Sequence, residues 1–378
     1  MIFSPQIEHV YLLKLSMGKF ISSVWEFDAN EQYLPVHKVF RWYGKLPPPL
    51  VQKVLDLYVN SDDKVLANFS GSGTIAVEAM LRGIDCTGID INPLALLISR
   101  VKTTKFSVPS FEQKVNLIVQ QARKNYRSTH VDDTSLYEPD KWYPNDTAKK
   151  ILALKKQIKK EKNALLVDLL MVALLGSLRD VSRIDSRCVN HIVVDYHKEA
   201  KDIFEEFKVN AIEVYEMVQS LPRQGKTPRF ELASAAQLSM LKDESIDFVF
   251  SHPPYLNAVN YYNINRLCTD VLGKEYNQIR EKDFSSKKYE VFLDLMEKSF
   301  IEAHRVLKQG KRMAVVIGDT RFLGNLLTLH VDFVNLLKKN GFDIEDIFVW
   351  VLNQKAGMNV ARRGNFIDHN YVIIGKKK

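Results

Sequence analysis

Cysteine is scarce in this 378-residue chain. Cys86, Cys188 and Cys268 stand far apart with no Cys-x-x-Cys spacing, which argues against a disulfide framework and a cysteine-built zinc site and suits a reducing, cytoplasmic compartment. No apolar stretch approaches the roughly 20 residues of a membrane span. The opening Met1-Ile2-Phe3-Ser4-Pro5 lacks the basic region, apolar segment and small-residue cleavage site of a secretory signal. A soluble protein is expected, with neither membrane nor metal as a partner. What the chain does have is an ordinary globular balance, 46% hydrophobic and 26% charged, on a length that suits one elaborated α/β domain or two domains. The formal net charge of +8 favours a polyanionic partner, though only modestly.

Two strand ends carry the chemistry. Val65-Leu66-Ala67-Asn68-Phe69-Ser70-Gly71-Ser72-Gly73-Thr74 reads as a strand entering a glycine-rich turn, and Ile75 to Leu81 then shows helical apolar spacing. Gly71 and Gly73 allow a tight turn and close approach of a ligand to backbone amides at a helix start. Downstream, Ile84-Asp85-Cys86-Thr87-Gly88-Ile89-Asp90 reads as a second strand ending in an acid, the placement from which a carboxylate accepts hydrogen bonds from ribose hydroxyls. Glycine loop plus acid suggests a nucleoside site. The third glycine of the dinucleotide fingerprint is missing, which disfavours that alternative. Further on, the buried run Ile246 to Phe250 closes on Ser251-His252-Pro253-Pro254-Tyr255. Prolines supply carbonyls without amide donors and the tyrosine supplies a flat face, a combination suited to a planar amine but also found in plain turns.

The intervening residues read as helices over Phe111 to Tyr126, Thr147 to Lys162, Ala164 to Arg179 and Lys198 to Leu221. This gives three parts: 1–104 with the N-terminal motif and the first half of the sheet domain, 105–226 as a mostly helical insertion, and 227–378 as the second half. The basic run Lys149 to Lys162 divides evenly between a solvated helix face and phosphate contacts, the latter helped by Arg179, Arg183 and Arg187. His191 and Asp195-Tyr196-His197 bring acid and imidazole close in sequence without a nucleophile or metal-ligand spacing, and read as structural. The C-terminal pattern predicts a helix from Tyr289, a strand over Arg312 to Ile317, a helix over Val331 to Lys339, and strands over Phe342 to Leu352 and His369 to Ile374.

The ordered motifs resemble the amino-group DNA methyltransferases that use S-adenosylmethionine, in particular the branch acting on the exocyclic amine of cytosine. His37 to Leu50, with Tyr43-Gly44-Lys45-Leu46-Pro47-Pro48, resembles the N-terminal cofactor-wrapping motif; Phe69 to Thr74 resembles the methionine-binding loop; Gly88-Ile89-Asp90-Ile91-Asn92-Pro93 resembles the ribose-binding strand end; Pro253-Pro254-Tyr255 resembles the catalytic loop. Trp142-Tyr143-Pro144 and Leu256-Asn257-Ala258 are similar to that branch too. The resemblance spans roughly residues 35 to 376. It implies a doubly wound, Rossmann-like α/β methyltransferase sheet with a C-terminal antiparallel hairpin and a helical insertion. It also implies S-adenosylmethionine held by Lys45, Phe69, Ser70, Gly71, Ser72, Gly73, Thr74, Asp90, Ile91, Asn92, Ser234 and Ala235, with Ser251, His252, Pro253, Pro254 and Tyr255 catalytic. The partner implied is DNA, in a restriction-modification setting, with cytosine favoured over adenine and the base flipped from the duplex.

Three positions depart from the family pattern. His252 stands where serine, aspartate or asparagine is usual, Ala67-Asn68 where Asp-Pro is usual, and Ser234 where an acid is common. A neutral imidazole can still accept from an amine, since its unperturbed pKa is about 6.5. The lost acids keep a catalytically degenerate nucleic-acid-binding subunit in view as an alternative, beside an RNA base-amine methyltransferase. The cluster Asn257, Asn260, Tyr261, Tyr262 and Asn263 reads either as contacts to a flipped nucleotide or as an ordinary loop.

Overall fold

The computed structural model describes residues 21–27, 33–131, 136, 138–188, 191–222, 225–256, 261–273, 288–322, 325–352 and 369–378. An eight-stranded sheet forms its centre. The strands are β1 (Ile21–Trp25), β2 (Lys64–Ala67), β3 (Asp85–Asp90), β4 (Arg229–Leu232), β5 (Ile246–Ser251), β6 (Leu307–Ile317), β9 (Phe342–Val351) and β10 (His369–Lys377), in the order β1-β9-β10-β6-β5-β2-β3-β4. A separate two-stranded ribbon pairs β7 (Thr320–Phe322) with β8 (Asn325–Leu327).

Within the large sheet all pairings are parallel except those of β10, which runs antiparallel to both β9 and β6. The expected doubly wound sheet with a C-terminal hairpin is therefore present. From β2 the chain progresses outward through β3 to β4, then returns to lay β5 against the other side of β2. That reversal makes the β2–β5 boundary the switch point, where open α/β sheets leave a crevice at the carboxyl ends of strands. The register pairs Ala67 with Phe250, so the turns that follow the two strands emerge side by side.

Helices cover both faces. One face packs against α1 (Pro48–Tyr58) and α2 (Thr74–Leu81), burying Leu50, Val54, Ile75 and Ala79 on Val65, Phe248 and Val316. The other packs against α8 (Tyr289–Val306) and α9 (Leu329–Lys339), where Phe292, Phe300 and Phe333 meet Leu66, Val249 and Val315. The run from Ile246 is apolar on both sides because β5 is buried at every residue, as a central parallel strand requires.

Helix α3 (Pro93–Thr103) begins where Asn92 caps it, its side chain accepting from the Leu94 amide at 3.0 Å with Pro93 at the first helical position. The insertion supplies α4 (Phe111–Asn125), α5 (Thr147–Ile158), α6 (Ala164–Val181) and α7 (Ile203–Gln219). These share one apolar cluster with α3, including Leu94 and Ile98 with Leu170, Leu174 and Phe207. The insertion is thus seated on the sheet domain through α3.

Two strands differ from the sequence pattern. Strand β6 starts at Leu307, earlier than Arg312, because Gly310 at φ +70° carries the polar Lys308-Gln309-Gly310-Lys311 stretch through the strand's first half. Edge strand β1 has no counterpart in the expected elements; its Trp25 stacks on Phe348 at 4.2 Å. Among the described residues, no helix is long and apolar enough to cross a membrane.

Candidate active site

A cavity opens at the β2–β5 boundary and gathers residues that are far apart in sequence. Its wall includes Lys45 from the N-terminal motif, Phe69, Ser70, Gly71, Ser72 and Thr74 from the glycine loop, Asp90, Ile91 and Asn92 from the end of β3, Ala235, and His252 and Pro254 from the loop after β5. Most of the expected site residues therefore line one space. Ser251, Pro253, Tyr255, Gly73 and Ser234 are not part of its wall.

The glycine loop is held from several directions. The Ser70 amide donates to the Ile89 carbonyl at 2.8 Å, tying the loop to β3, and the Gly73 amide closes a turn on the Ser70 carbonyl at 3.0 Å. The Asp90 carboxylate accepts from the Gly71 amide at 2.8 Å through Oδ2 and from the Asn92 amide at 2.9 Å through Oδ1. From the far side, Ser99 of α3 donates to the Gly71 carbonyl at 3.0 Å, and Lys102 donates to the Ser72 carbonyl at 2.9 Å. Gly73 caps α2 in the left-handed region, φ +81°, where a Cβ would come within 3.1 Å of the Ser99 backbone. Gly88 has a different reason: a Cβ there would sit 2.6 Å from Ser70 Oγ and 2.7 Å from the Phe230 ring. Space dictates glycine at both positions, and turn geometry adds to it at Gly73.

The residues on the wall fit a polar, nucleoside-bearing cofactor. Among the described residues Ser70 Oγ, Ser72 Oγ and Asn68 Oδ1 are buried without a hydrogen-bond partner, and their residues all line the cavity. Leaving such groups unpaired costs about 1–3 kcal/mol each, so their presence together marks a place where a polar ligand would complete them. Each Asp90 oxygen already accepts one backbone amide, and a carboxylate oxygen has capacity for a second donor. Lys45 Nζ donates to the carbonyls of His37 at 2.9 Å and Phe40 at 3.4 Å, and its enclosed ammonium has a pKa below the usual lysine value through desolvation.

On the opposite wall, His252 packs edge-to-face with Tyr255, ring centroids 5.6 Å apart at 88°. Burial pushes the His252 pKa down to about 4, so the imidazole is neutral near pH 7 and offers one acceptor nitrogen. Ser251, the last residue of β5, is fully buried, its hydroxyl without a partner among the described residues. Tyr255 is partly exposed; burial of its phenol raises the pKa, neighbouring Tyr261 adds to this, and a hydrogen bond with Asn370 opposes it. Ser234 accepts from the Ala236 amide at 3.2 Å and so shapes the turn that presents Ala233 and Ala235 to the cavity.

Sequence reasoning missed Trp42, Ile75 and Ala233 on the wall. Trp42 stacks on Tyr261 with centroids 6.0 Å apart at 23°, so the segment after the Pro-Pro-Tyr loop touches the N-terminal motif. The tryptophan inside the His37–Leu50 stretch was the available signal, since a large aromatic beside a ligand motif is suited to form a wall. Of the aromatic and asparagine cluster, Asn257 and Asn260 lie outside the described residues.

Elsewhere, the arginines near the basic run are largely committed to the protein itself. Arg179 donates to the Cys188 carbonyl at 2.6 Å, Arg183 to the Asp140 carbonyl, and Arg187 pairs with Asp185 at 2.7 Å. Lys149 and Lys150 pair with Asp146 and Asp202 at 3.0 and 2.7 Å. Asp195 accepts from the His197 backbone amide at 2.9 Å, in keeping with a structural reading of that stretch.

A family model described as DNA methylase matches residues 8–100 and 246–378, which is more than half of the chain and leaves out the helical insertion. The chain is 33% identical over 114 residues to the type II methyltransferase M.MjaII of Methanocaldococcus jannaschii, covering 30% of this chain and 21% of that one. It is 23% identical over 285 residues to M.MvaI of Kocuria varians, covering 65% and 62%, and 22% identical over 422 aligned residues to M.AvaI of Nostoc sp., covering 92% and 87%. The chain thus spans about a fifth of the first of these relatives, three fifths of the second and most of the third. With the matched segments carrying the glycine loop, the acidic strand end and the Pro-Pro-Tyr loop, the chain belongs to the DNA methylase family.

Proposed function

We propose that this protein transfers a methyl group from S-adenosylmethionine to the exocyclic amine of a base in DNA, cytosine in preference to adenine, as the modifying half of a restriction-modification system. The observation that carries this reading is the single cavity walled by the glycine loop and Asp90 on one side and by His252 and Pro254 on the other. S-adenosylmethionine, the methyl donor of this family, supplies an electrophilic methyl on a sulfonium that carries its own activation. The protein's work is then orientation and placed dipoles.

The division of labour follows from the residues. Asp90 receives ribose hydroxyls, Phe69, Ile91 and Ala235 offer apolar contact for the adenine, and Ser70 to Thr74 hold the amino-acid end at the start of α2. On the other wall, a base amine is a poor nucleophile because its lone pair is delocalised into the ring. The neutral imidazole of His252 and the carbonyl of Pro253 accept hydrogen bonds from its two N–H groups and draw the nitrogen towards tetrahedral geometry, Tyr255 gives the ring a face to stack on, and one amine proton is lost to solvent as the methyl is received. The low pKa of His252 supports the acceptor role, because a protonated imidazole has no acceptor nitrogen. An amine buried in a duplex reaches such a loop only after the base is flipped out. The insertion at 105–226, outside the matched family segments, is the proposed recognition part.

Nucleoside analysis of duplex DNA incubated with the protein and S-adenosylmethionine tests the reading. N4-methylcytosine is expected; N6-methyladenine would move the target to the other base, and no methylated amine in any sequence context would refute methyl transfer to DNA. Competition between DNA and RNA substrates separates the nucleic-acid classes, and calorimetry with S-adenosylmethionine separates an enzyme from a degenerate binding subunit.

A further inference from the structure

Lys102, on the last turn of α3, is fully buried although it is a lysine. Among the described residues its ammonium makes one hydrogen bond, to the Ser72 carbonyl at 2.9 Å, and no ion pair. The charge that acts on it does not compensate it, because Lys45 is of the same sign. Burial and the Lys45 charge both lower the ability of Lys102 to stay protonated. A buried cation without a counter-charge is costly, and a chain without a use for it would place methionine or leucine at this point of a helix.

The position of that charge supplies the use. Ser72, whose carbonyl Lys102 holds, lines the cavity with an unpartnered hydroxyl, and Lys45 lines the same cavity. Asp90 stands on the β3 side of the glycine loop, so the cavity has an acidic flank and, behind Ser72, a basic one. We infer that Lys102 is a positioning residue: it fixes the Ser72 peptide one peptide behind the cavity wall, and a ligand carboxylate at that end supplies the counter-charge its ammonium lacks within the protein. The inference rests on the proposed methyltransferase function, in which the carboxylate belongs to the amino-acid end of the cofactor.

The experiment compares two ligands by isothermal calorimetry on the full chain: S-adenosylhomocysteine, which has the amino-acid carboxylate, and 5′-methylthioadenosine, which lacks it. Lys102→Met is expected to weaken S-adenosylhomocysteine about tenfold, the scale of one charge interaction in a partly screened site, and to leave methylthioadenosine within about twofold. Lys102→Arg should restore most of the difference. Ser99→Ala frees the neighbouring Gly71 carbonyl without changing charge and should weaken both ligands by the same factor. If Lys102→Met does not fold, Lys102→Gln carries the same expectation. Equal losses for the two ligands, or no loss, would overturn the role of Lys102 while leaving the enzyme reading intact. Failure of the unaltered protein to bind either ligand would instead overturn the enzyme reading, and the inference with it.

Discussion

Replacing Gly73 by alanine puts the construction of the glycine loop to a quantitative test. Gly73 sits at φ +81°, ψ 24°, a left-handed conformation that costs an L-residue roughly 1–2 kcal/mol. The added methyl would also lie 2.7 Å from Ser99 Oγ, 2.9 Å from Ser99 Cβ and 3.1 Å from Ser99 Cα. The last of these is backbone of α3, so a rotamer change cannot relieve it, and overpacking of this kind costs about 1–3 kcal/mol. Alanine recovers about 0.4–1 kcal/mol by restricting the unfolded chain. The net expectation is a destabilisation of about 1–5 kcal/mol, to be set against the roughly 5–15 kcal/mol typical of a folded protein. Gly83→Ala is the control, because Gly83 has φ +73° and nothing within 4 Å of where an alanine methyl would lie, so it carries the backbone cost alone. Urea denaturation followed by circular dichroism measures both variants. If Gly73→Ala falls within about 0.5 kcal/mol of Gly83→Ala, the contact between the loop and α3 is not what constrains this position.

Other perturbations have outcomes fixed by the same geometry. His252 has a folded-state pKa of about 4 against an unfolded value near 6.5, so the unfolded chain takes up the proton first; its neutral burial costs nothing above about pH 6.5, and stability is progressively lost as pH falls towards 4. His252→Asn should therefore lose less stability than the unaltered protein over that window, measured by melting temperature against pH. For the same reason the acid limb of methyl transfer attributable to His252 should lie near pH 4 and not near 6.5, as read from a pH–rate profile. Asn92→Ala removes the cap of α3 and should cost about 0.5–2 kcal/mol in urea denaturation, while the Asp90 arrangement, held by the Asn92 backbone amide, is kept. Glu78→Ala leaves the buried His37 ring without that hydrogen bond, while Arg82 keeps Asp56 at 2.7 Å, and should cost about 1–3 kcal/mol, seen as early unfolding in the same assay.

The strand-turn-helix around Gly71 and Gly73, the acid ending β3 and the apolar run of β5 were legible because each is a local pattern: buried parallel strands read as continuous apolar stretches, and turns announce themselves by glycine and proline. The insertion helices were legible for the same reason, by their 3.6-residue periodicity. What local pattern does not carry is the pairing of distant elements. Edge strand β1 is short, and its place beside β9 is fixed by Trp25 stacking on Phe348, a partner at the other end of the chain. Trp42 meets Tyr261 on the cavity wall, a pair 219 positions apart in the chain. Lys102 resembles any solvated lysine at a helix end; its burial arises from α3 crossing beneath the glycine loop, which spacing alone does not reveal. The phosphate-contact role weighed for the arginines is reduced for a like reason, since Arg179 and Arg183 hold backbone carbonyls in the fold.

If the glycine-loop wall and the Pro-Pro-Tyr wall act as halves of one site, removing the acceptor on one wall must stop the chemistry without loosening the cofactor on the other. Radiolabelled methyl transfer to duplex DNA, measured for the unaltered protein and for His252→Ala at saturating S-adenosylmethionine, reads this out. The predicted result is methylated cytosine amine from the unaltered protein and a large loss of transfer in His252→Ala with cofactor affinity preserved. Full transfer by His252→Ala, or none by the unaltered protein, would contradict it.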